Sequence, residues 1–256
     1  MRETKQGIGG IILYSYWGYL AAMLVCLLLS GYAGGKVRST YAKYDQVRCR
    51  SGMTGQDTAV RLLQSNQISG IAVGKISGVL SDHYHPVKGI VNLSEDTYQS
   101  CSVAAVAVAA HEIGHVVQNR QGYLPYRIRT AIVPMVNFGS RLAVPLVLGG
   151  LLLGGGVAAA GNSNLGYTLA MTGVLLYGLS VVFALVTLPV EYNASRRAKE
   201  MLLTQGILSQ EELPGAEAVL SAAAMTYLAS LLVSLVSFLR FLLLVLSAFG
   251  RRSTRR

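Results

Sequence analysis

Forty-nine consecutive residues, Leu142 to Val190, carry no charge. In water such a run would have to lie inside a large core, and a chain of 256 residues has too little polar material to cover one. A hydrocarbon layer of about 30 Å is crossed by about 20 apolar helical residues, so this single run holds two crossings. Gly161-Asn162-Ser163-Asn164-Leu165-Gly166 breaks it into spans at about 142–161 and 167–190. The expected unit is a tight helical hairpin. Glycines at 149, 150, 154, 155, 156, 173 and 178 suit it, because small residues let helices approach closely in lipid. Two further runs have the same character. No charge occurs from Gln6 to Gly35, where Ile11–Ala33 makes a good span, and Ala218–Phe249 is interrupted only by Arg240. The first run is longer than the ~7–15 apolar residues of a signal peptide and lacks a good cleavage site at Ser30–Gly35, so it reads as a membrane helix. The last is long enough for one span. Its first half, Ala216–Ser230, is rich in small residues and also suits packing on a protein domain.

Composition agrees. Charged residues make up 13% of the chain, about half the roughly 25% of soluble domains, and the mean hydropathy is +0.45. A soluble globular protein and a disordered chain are both disfavoured. The balance is basic, 22 Lys and Arg against 12 Asp and Glu. In a soluble chain that would suggest nucleic acid. Here the cations sit at the ends of apolar runs without interleaved aromatics, so no nucleic-acid partner is expected. Lys and Arg accumulate on the cytoplasmic side of spans. Lys36, Arg38, Lys43, Arg48 and Arg50 follow the first span and outnumber Arg2 and Lys5 before it. Arg127, Arg129 and Arg141 precede the second, and Arg196, Arg197 and Lys199 follow the third. All three place the two polar regions in the cytoplasm, in a multi-pass protein of the plasma membrane with the lipid bilayer as partner. The tail Arg251–Arg256 pulls the other way if the last run crosses. Cys26, Cys49 and Cys101 form no CxxC pair, so neither a disulfide framework nor a cysteine zinc site is indicated. Trp17, Tyr14, Tyr16 and Tyr19 read as an interfacial belt, Arg240 as a residue that snorkels or ends the last span, and Arg196 and Arg197 as contacts to headgroups or substrate.

The expected organisation is an N-terminal membrane helix in 1–35, a polar catalytic region in 36–141, the hairpin in 142–190, a short helix and connector in 191–216, and a last helix with a basic tail in 217–256. Within the polar region Lys36–Gln64 reads as helical, with Thr54-Gly55-Gln56-Asp57 as a helix start. Ile71–Leu80 and Val87–Leu93 are β-prone runs around a polar turn, Ser81–Pro86. Ser94 then reads as an N-cap, with Glu95 and Asp96 favouring the positive helix end. That helix is expected from about Glu95 to Asn119.

It contains His111-Glu112-Ile113-Gly114-His115. Residues four apart share a helix face, so both imidazoles can reach one metal while the Glu between them acts on water. The flanks are apolar, as a buried metal helix requires. A catalytic zinc takes three protein ligands, and the candidates for the third are His83, His85, Asp82 and Glu191. Glu191 is the first charge after the long uncharged run.

The chain resembles the membrane-bound neutral zinc metallopeptidases of the YugP type. The resemblance covers almost its whole length. It is carried by Tyr41-Ala42-Lys43-Tyr44, Ser51-Gly52-Met53-Thr54-Gly55, Leu80-Ser81-Asp82-His83-Tyr84, Ser102-Val103-Ala104-Ala105, the extended motif from Ala109 to His115, and Leu188 to Ala198. The order of elements is also similar to HtpX-type and CAAX prenyl proteases: the motif, a two-helix hairpin, then a ligand helix beginning Glu-x-x-Ala. The resemblance implies a gluzincin-like protein, an α+β zincin-like core on about four transmembrane helices. It implies Zn2+ held by His111, His115 and Glu191, and Glu112 as general base in peptide hydrolysis. Peptide or membrane-protein substrates follow, and quality control of membrane proteins by likeness to HtpX. Two departures stand out. His85 occupies the place of a second Asp in the family's turn, and Ser195 stands where HtpX-type chains carry an Asp. The carboxylate that would orient a ligand histidine must then come from elsewhere, with Asp82 as candidate. His83 and Tyr84 are the expected donors to the developing oxyanion, since the turn can present them to the active helix. The bland alternative is that Asp82 and His83 pair and cap the hairpin.

Two rivals remain. An intramembrane protease would bury the motif helix as a span, but Ser102–Ala110 is too short and no membrane stretch contains an Asp. A membrane scaffold or chaperone-like protein with a structural or vestigial metal site would give Glu112 no purpose.

Overall fold

The structure, a computed structural model, describes residues 3–155 and 163–250. Arg2, Gly156, Gly161, Asn162 and the tail Arg251–Arg256 lie outside the described residues, as do the side chains of Lys5 and Tyr14. The chain is mainly helical. In order it forms α1 (Glu3–Asp45), α2 (Gly55–Ser65), β1 (Ala72–Ile76), β2 (His83–His85), β3 (Ile90–Ser94), α3 (Glu95–Gln99), α4 (Val103–Arg120), α5 (Leu124–Gly155), α6 (Ser163–Thr204) and α7 (Leu213–Gly250). α1, α5, α6 and α7 are long and apolar enough to cross a membrane. The protein is thus a membrane-associated, mainly α protein with one small sheet.

Two compact units emerge. One takes in the described residues within 1–31, 129–185 and 228–256. Its α5 and α6 pack backbone to backbone: a Cβ at Gly150 would meet the Ala170 nitrogen at 2.4 Å, and one at Gly173 the Ala143 oxygen at 2.6 Å. Only glycine fits, as the small-residue reading required. Val147, Ala170, Val174 and Val245 form the centre of this unit, while Leu27, Leu28, Leu152 and Leu175 turn outward. Arg240 lies inside α7 rather than at its end. Its guanidinium stacks 5.4 Å from the Tyr16 ring centroid and 5.0 Å from that of Tyr19, and α7 runs on to Gly250. Ring quadrupoles attract a cation most strongly where water is excluded.

The other unit comprises Tyr32–Ile128 and Val186–Tyr227. Its sheet has the order β1-β3-β2, with β1 parallel and β2 antiparallel to β3. Val91 and Leu93 alternate along β3 and are fully buried. They join Leu62 of α2, Ile113 and Val116 of α4, Leu202 of α6 and Leu220 of α7 in one core. Burial of each such side chain stabilises by about 1.5–3 kcal/mol. Ala216 and Leu220 in this core answer the question left open by the first half of the last apolar run: those turns of α7 pack on protein.

Three local expectations change. The helix expected over Lys36–Gln64 is two helices, and the second begins at the expected place. Thr54 Oγ1 accepts from the Asp57 N–H while the Asp57 carboxylate accepts from the Thr54 N–H, a complete capping box. The helix expected over Glu95–Asn119 is broken at Ser100–Ser102 because that segment pairs elsewhere. Arg48 and Ser102 form an antiparallel bridge, and Ser100 and Ser102 both donate to Asp45 Oδ1. Ser102, not Ser94, caps the motif helix, accepting from the Ala105 N–H. The polar turn Ser81–Pro86 holds an edge strand, β2, whose Tyr84 faces Val91 in register.

Candidate active site

α4 carries His111 and His115 one turn apart, with their rings 4.8 Å apart and nearly perpendicular. Between them Gly114 lets α6 come unusually close. A Cβ there would lie 2.7 Å from the Ala194 carbonyl oxygen, a main-chain atom that cannot move aside. This approach brings Glu191 against both histidines. Its Oε2 lies 3.1 Å from His111 Nε2 and 3.5 Å from His115 Nε2. The ligating atoms of the three residues all fall within 4.8 Å of one another. Zn–N and Zn–O bonds of about 2.0–2.2 Å in a tetrahedron separate ligand atoms by about 3.3 Å, so this donor set fits zinc in both chemistry and spacing.

Glu112 is buried beside them, and the Tyr84 main-chain N–H favours its charged form. Burial pushes its carboxyl up to about 7, with His111 opposing the rise and the charges of Glu191 and Asp82 adding to it. A carboxyl poised there can both take and return a proton near neutral pH.

The far nitrogens of the two histidines are also engaged. His111 Nδ1 lies 3.2 Å from Ser195 Oγ, and His115 Nδ1 lies 3.0 Å from Gln118 Oε1. Gln118 is fully buried and also bonds the Val190 carbonyl and Asn193. Arg197 reaches back along α6 to Asn193 Oδ1 and across to Gln121 Oε1, at 2.7 Å each. Arg197 is therefore tied into this network, whereas Arg196 is exposed beside Glu200. Gln118 and Asn193 escaped the sequence reading. Their only signal was spacing: Gln118 lies three residues beyond His115, and Asn193 two beyond Glu191.

The Asp82 expectation is corrected. Its carboxylate accepts from the Ser94 N–H at 2.7 Å and the Ser94 hydroxyl at 2.9 Å. It orients β3, pairing neither with a ligand histidine nor with His83. His83 is spoken for at both nitrogens, Nδ1 at the Ser81 carbonyl and Nε2 at the Asn92 amide. His85 Nδ1 accepts from the Lys88 N–H. Tyr84 accepts from the Asn119 amide at 2.9 Å. A cleft of about 570 Å³ is lined by Pro189, Tyr192, Asn193, Ser195, Arg196 and Lys199 on α6, with Tyr123 and part of α7. It adjoins the convergent side chains through Ser195.

Fold and site together define a membrane-associated, mainly helical protein in which two histidines and a glutamate converge beside a buried second glutamate. Residues 19–246 match the family described as "Putative neutral zinc metallopeptidase", and the chain belongs to that family. It is 41% identical over 229 residues to the "Putative membrane protease YugP" of Bacillus subtilis (strain 168), an alignment covering 90% of this chain and 97% of that relative. No solved structure matches. Zinc is the metal of the family, and the convergent donor set agrees with it.

Proposed function

We propose that this protein is a multi-pass plasma-membrane metalloendopeptidase of the gluzincin type, with its active site facing the cytoplasm. The observation that carries the reading is the convergence of His111, His115 and Glu191 next to a buried Glu112. In this reading His111, His115 and Glu191 hold zinc through two imidazole nitrogens and one carboxylate oxygen. When bound, zinc polarises the scissile carbonyl and makes a water more acidic. Glu112 takes a proton from that water and returns it to the leaving amine, so the proton count closes over the cycle. The Tyr84 main-chain N–H favours the charged form of the Glu112 carboxylate. The Tyr84 hydroxyl accepts from Asn119 and keeps its own O–H to donate to negative charge growing on the carbonyl oxygen. His83, by contrast, serves β2 and β3, since both of its ring nitrogens are engaged there.

Membrane proteins are the favoured substrates, and quality control the favoured role. The relative from Bacillus subtilis is described as a "Putative membrane protease", and the Lys and Arg bias at the span ends favours a cytoplasmic side for both polar regions. The competing reading is a scaffold with a structural metal. Replacing Glu112 by Gln separates them. The expected variant keeps its zinc and loses hydrolysis of an unfolded peptide substrate that the wild type cleaves. Undiminished cleavage by Glu112→Gln would overturn the general-base role.

A further inference from the structure

We infer that Gln118 is a positioning residue that fixes which ring nitrogen of His115 is offered to the metal; the inference rests on the metal-centre reading above. The argument follows from what each partner is able to do. The Val190 main-chain carbonyl lies 2.8 Å from one terminal atom of the Gln118 amide. A carbonyl only accepts, so that atom is the NH2 nitrogen. The same atom lies 2.9 Å from the Asn193 side chain. Arg197 approaches that same Asn193 atom through Nε at 2.7 Å, and an arginine only donates, so the atom is the amide oxygen, Oδ1. Two independent partners thus set the Gln118 amide one way round. Its other terminal atom, 3.0 Å from His115 Nδ1, is the oxygen.

An amide oxygen beside a ring nitrogen calls for N–H on that nitrogen. His115 is therefore the Nδ1–H tautomer. Its lone pair sits on Nε2, the nitrogen 3.5 Å from Glu191 Oε2. Gln118 is fully buried, so water does not compete for its amide and the preference is expressed in full. His111 has no such arrangement. Its Nδ1 faces the Ser195 hydroxyl, which can donate or accept. The centre is consequently fixed from the His115 side by a relay from Arg197 through Asn193 to Gln118. The neutral amide replaces the carboxylate that related centres use to orient a ligand histidine. It does so without adding a further carboxylate beside Glu191 and Glu112.

The test uses the full chain, purified and labelled with 15N at histidine. Four histidines give four rings to assign. In the wild type the two His115 nitrogen shifts should report one tautomer, with hydrogen on Nδ1. Gln118→Met keeps the length of the side chain but replaces the amide oxygen with a thioether, a much weaker acceptor. It should mix the His115 tautomers and weaken zinc binding, measured by chelator competition, by about 10- to 100-fold. Asn193→Asp still accepts from both Gln118 and Arg197 and should keep the wild-type tautomer and affinity, whereas Asn193→Leu should lose part of both. Wild-type tautomer and zinc affinity in a folded Gln118→Met would overturn the inference. Should Gln118→Met fail to fold, equal behaviour of Asn193→Asp and Asn193→Leu would overturn it instead. A wild type that takes up no zinc would defeat the metal-centre reading, while the nitrogen shifts would still decide the relay.

Discussion

Glu191 shows how much one residue is asked to do. It is 2% exposed, and a carboxylate that deep is stable only where strong partners replace water. Two imidazoles supply them here. Sequence reasoning reached this residue unevenly. His111, Glu112 and His115 were legible from helix geometry alone, because a spacing of four places two rings on one face. Glu191 stood among four candidate third ligands until the family resemblance singled it out, since nothing in a linear sequence says which distant carboxylate a helix will meet. Asp82 misled because its serine partner on β3 is twelve residues away and its bonds depend on strand register. Tyr84 bears a prediction at this scale. Removing only its hydroxyl, in Tyr84→Phe, leaves the main-chain N–H to Glu112 intact. Turnover should fall by about 10²-fold with KM little changed, as for loss of one oxyanion donor. Steady-state kinetics on a peptide substrate would show it, and an unchanged kcat would remove Tyr84 from the chemistry.

Among elements, the packing of α4 against α6 decides whether a site exists. Gly114 sits inside the motif, where a catalytic reading treats it as filler. The structure makes it a point of close approach to the Ala194 main chain, with room for hydrogen and nothing larger. Gly114→Ala should therefore force the helices apart. It should destabilise the fold by about 1–3 kcal/mol through overpacking and weaken zinc binding at the same time. Thermal unfolding and chelator competition would both register the change, and a variant with wild-type values in each would refute the close-approach argument. Elements with strong local signals were legible: the long helices by length and hydropathy, the start of α2 at Thr54–Asp57, and β3 within the β-prone run Val87–Leu93. β2 was not, because a three-residue edge strand reading His-Tyr-His has no apolar period. The break before α4 was hidden for a related reason. Ser100-Cys101-Ser102 is locally compatible with helix, and only the bridge to Arg48 and the bonds to Asp45 open it.

For the whole molecule, three apolar runs in the sequence, one of them split into two spans, correspond to four helices among the described residues that are long enough to cross a membrane. That correspondence was the most secure part of the reading, because it rests on the cost of leaving apolar side chains in water. Sidedness rests on Lys and Arg placement and carries its own prediction. Val87 is 89% exposed at a loop tip of the unit that carries α4. In Val87→Cys, a membrane-impermeant maleimide should label the new thiol only after the membrane is opened, judged against the parent chain. Labelling in intact cells would reverse the proposed orientation.

The central claim is that His111, His115 and Glu191 hold one zinc ion. Elemental mass spectrometry on the purified wild type and on Glu191→Ala tests it most directly. The account predicts about one zinc per chain in the wild type, since three protein ligands make one catalytic site, and a marked loss in the variant. Full zinc in Glu191→Ala, or none in a wild type prepared without chelators, would contradict it.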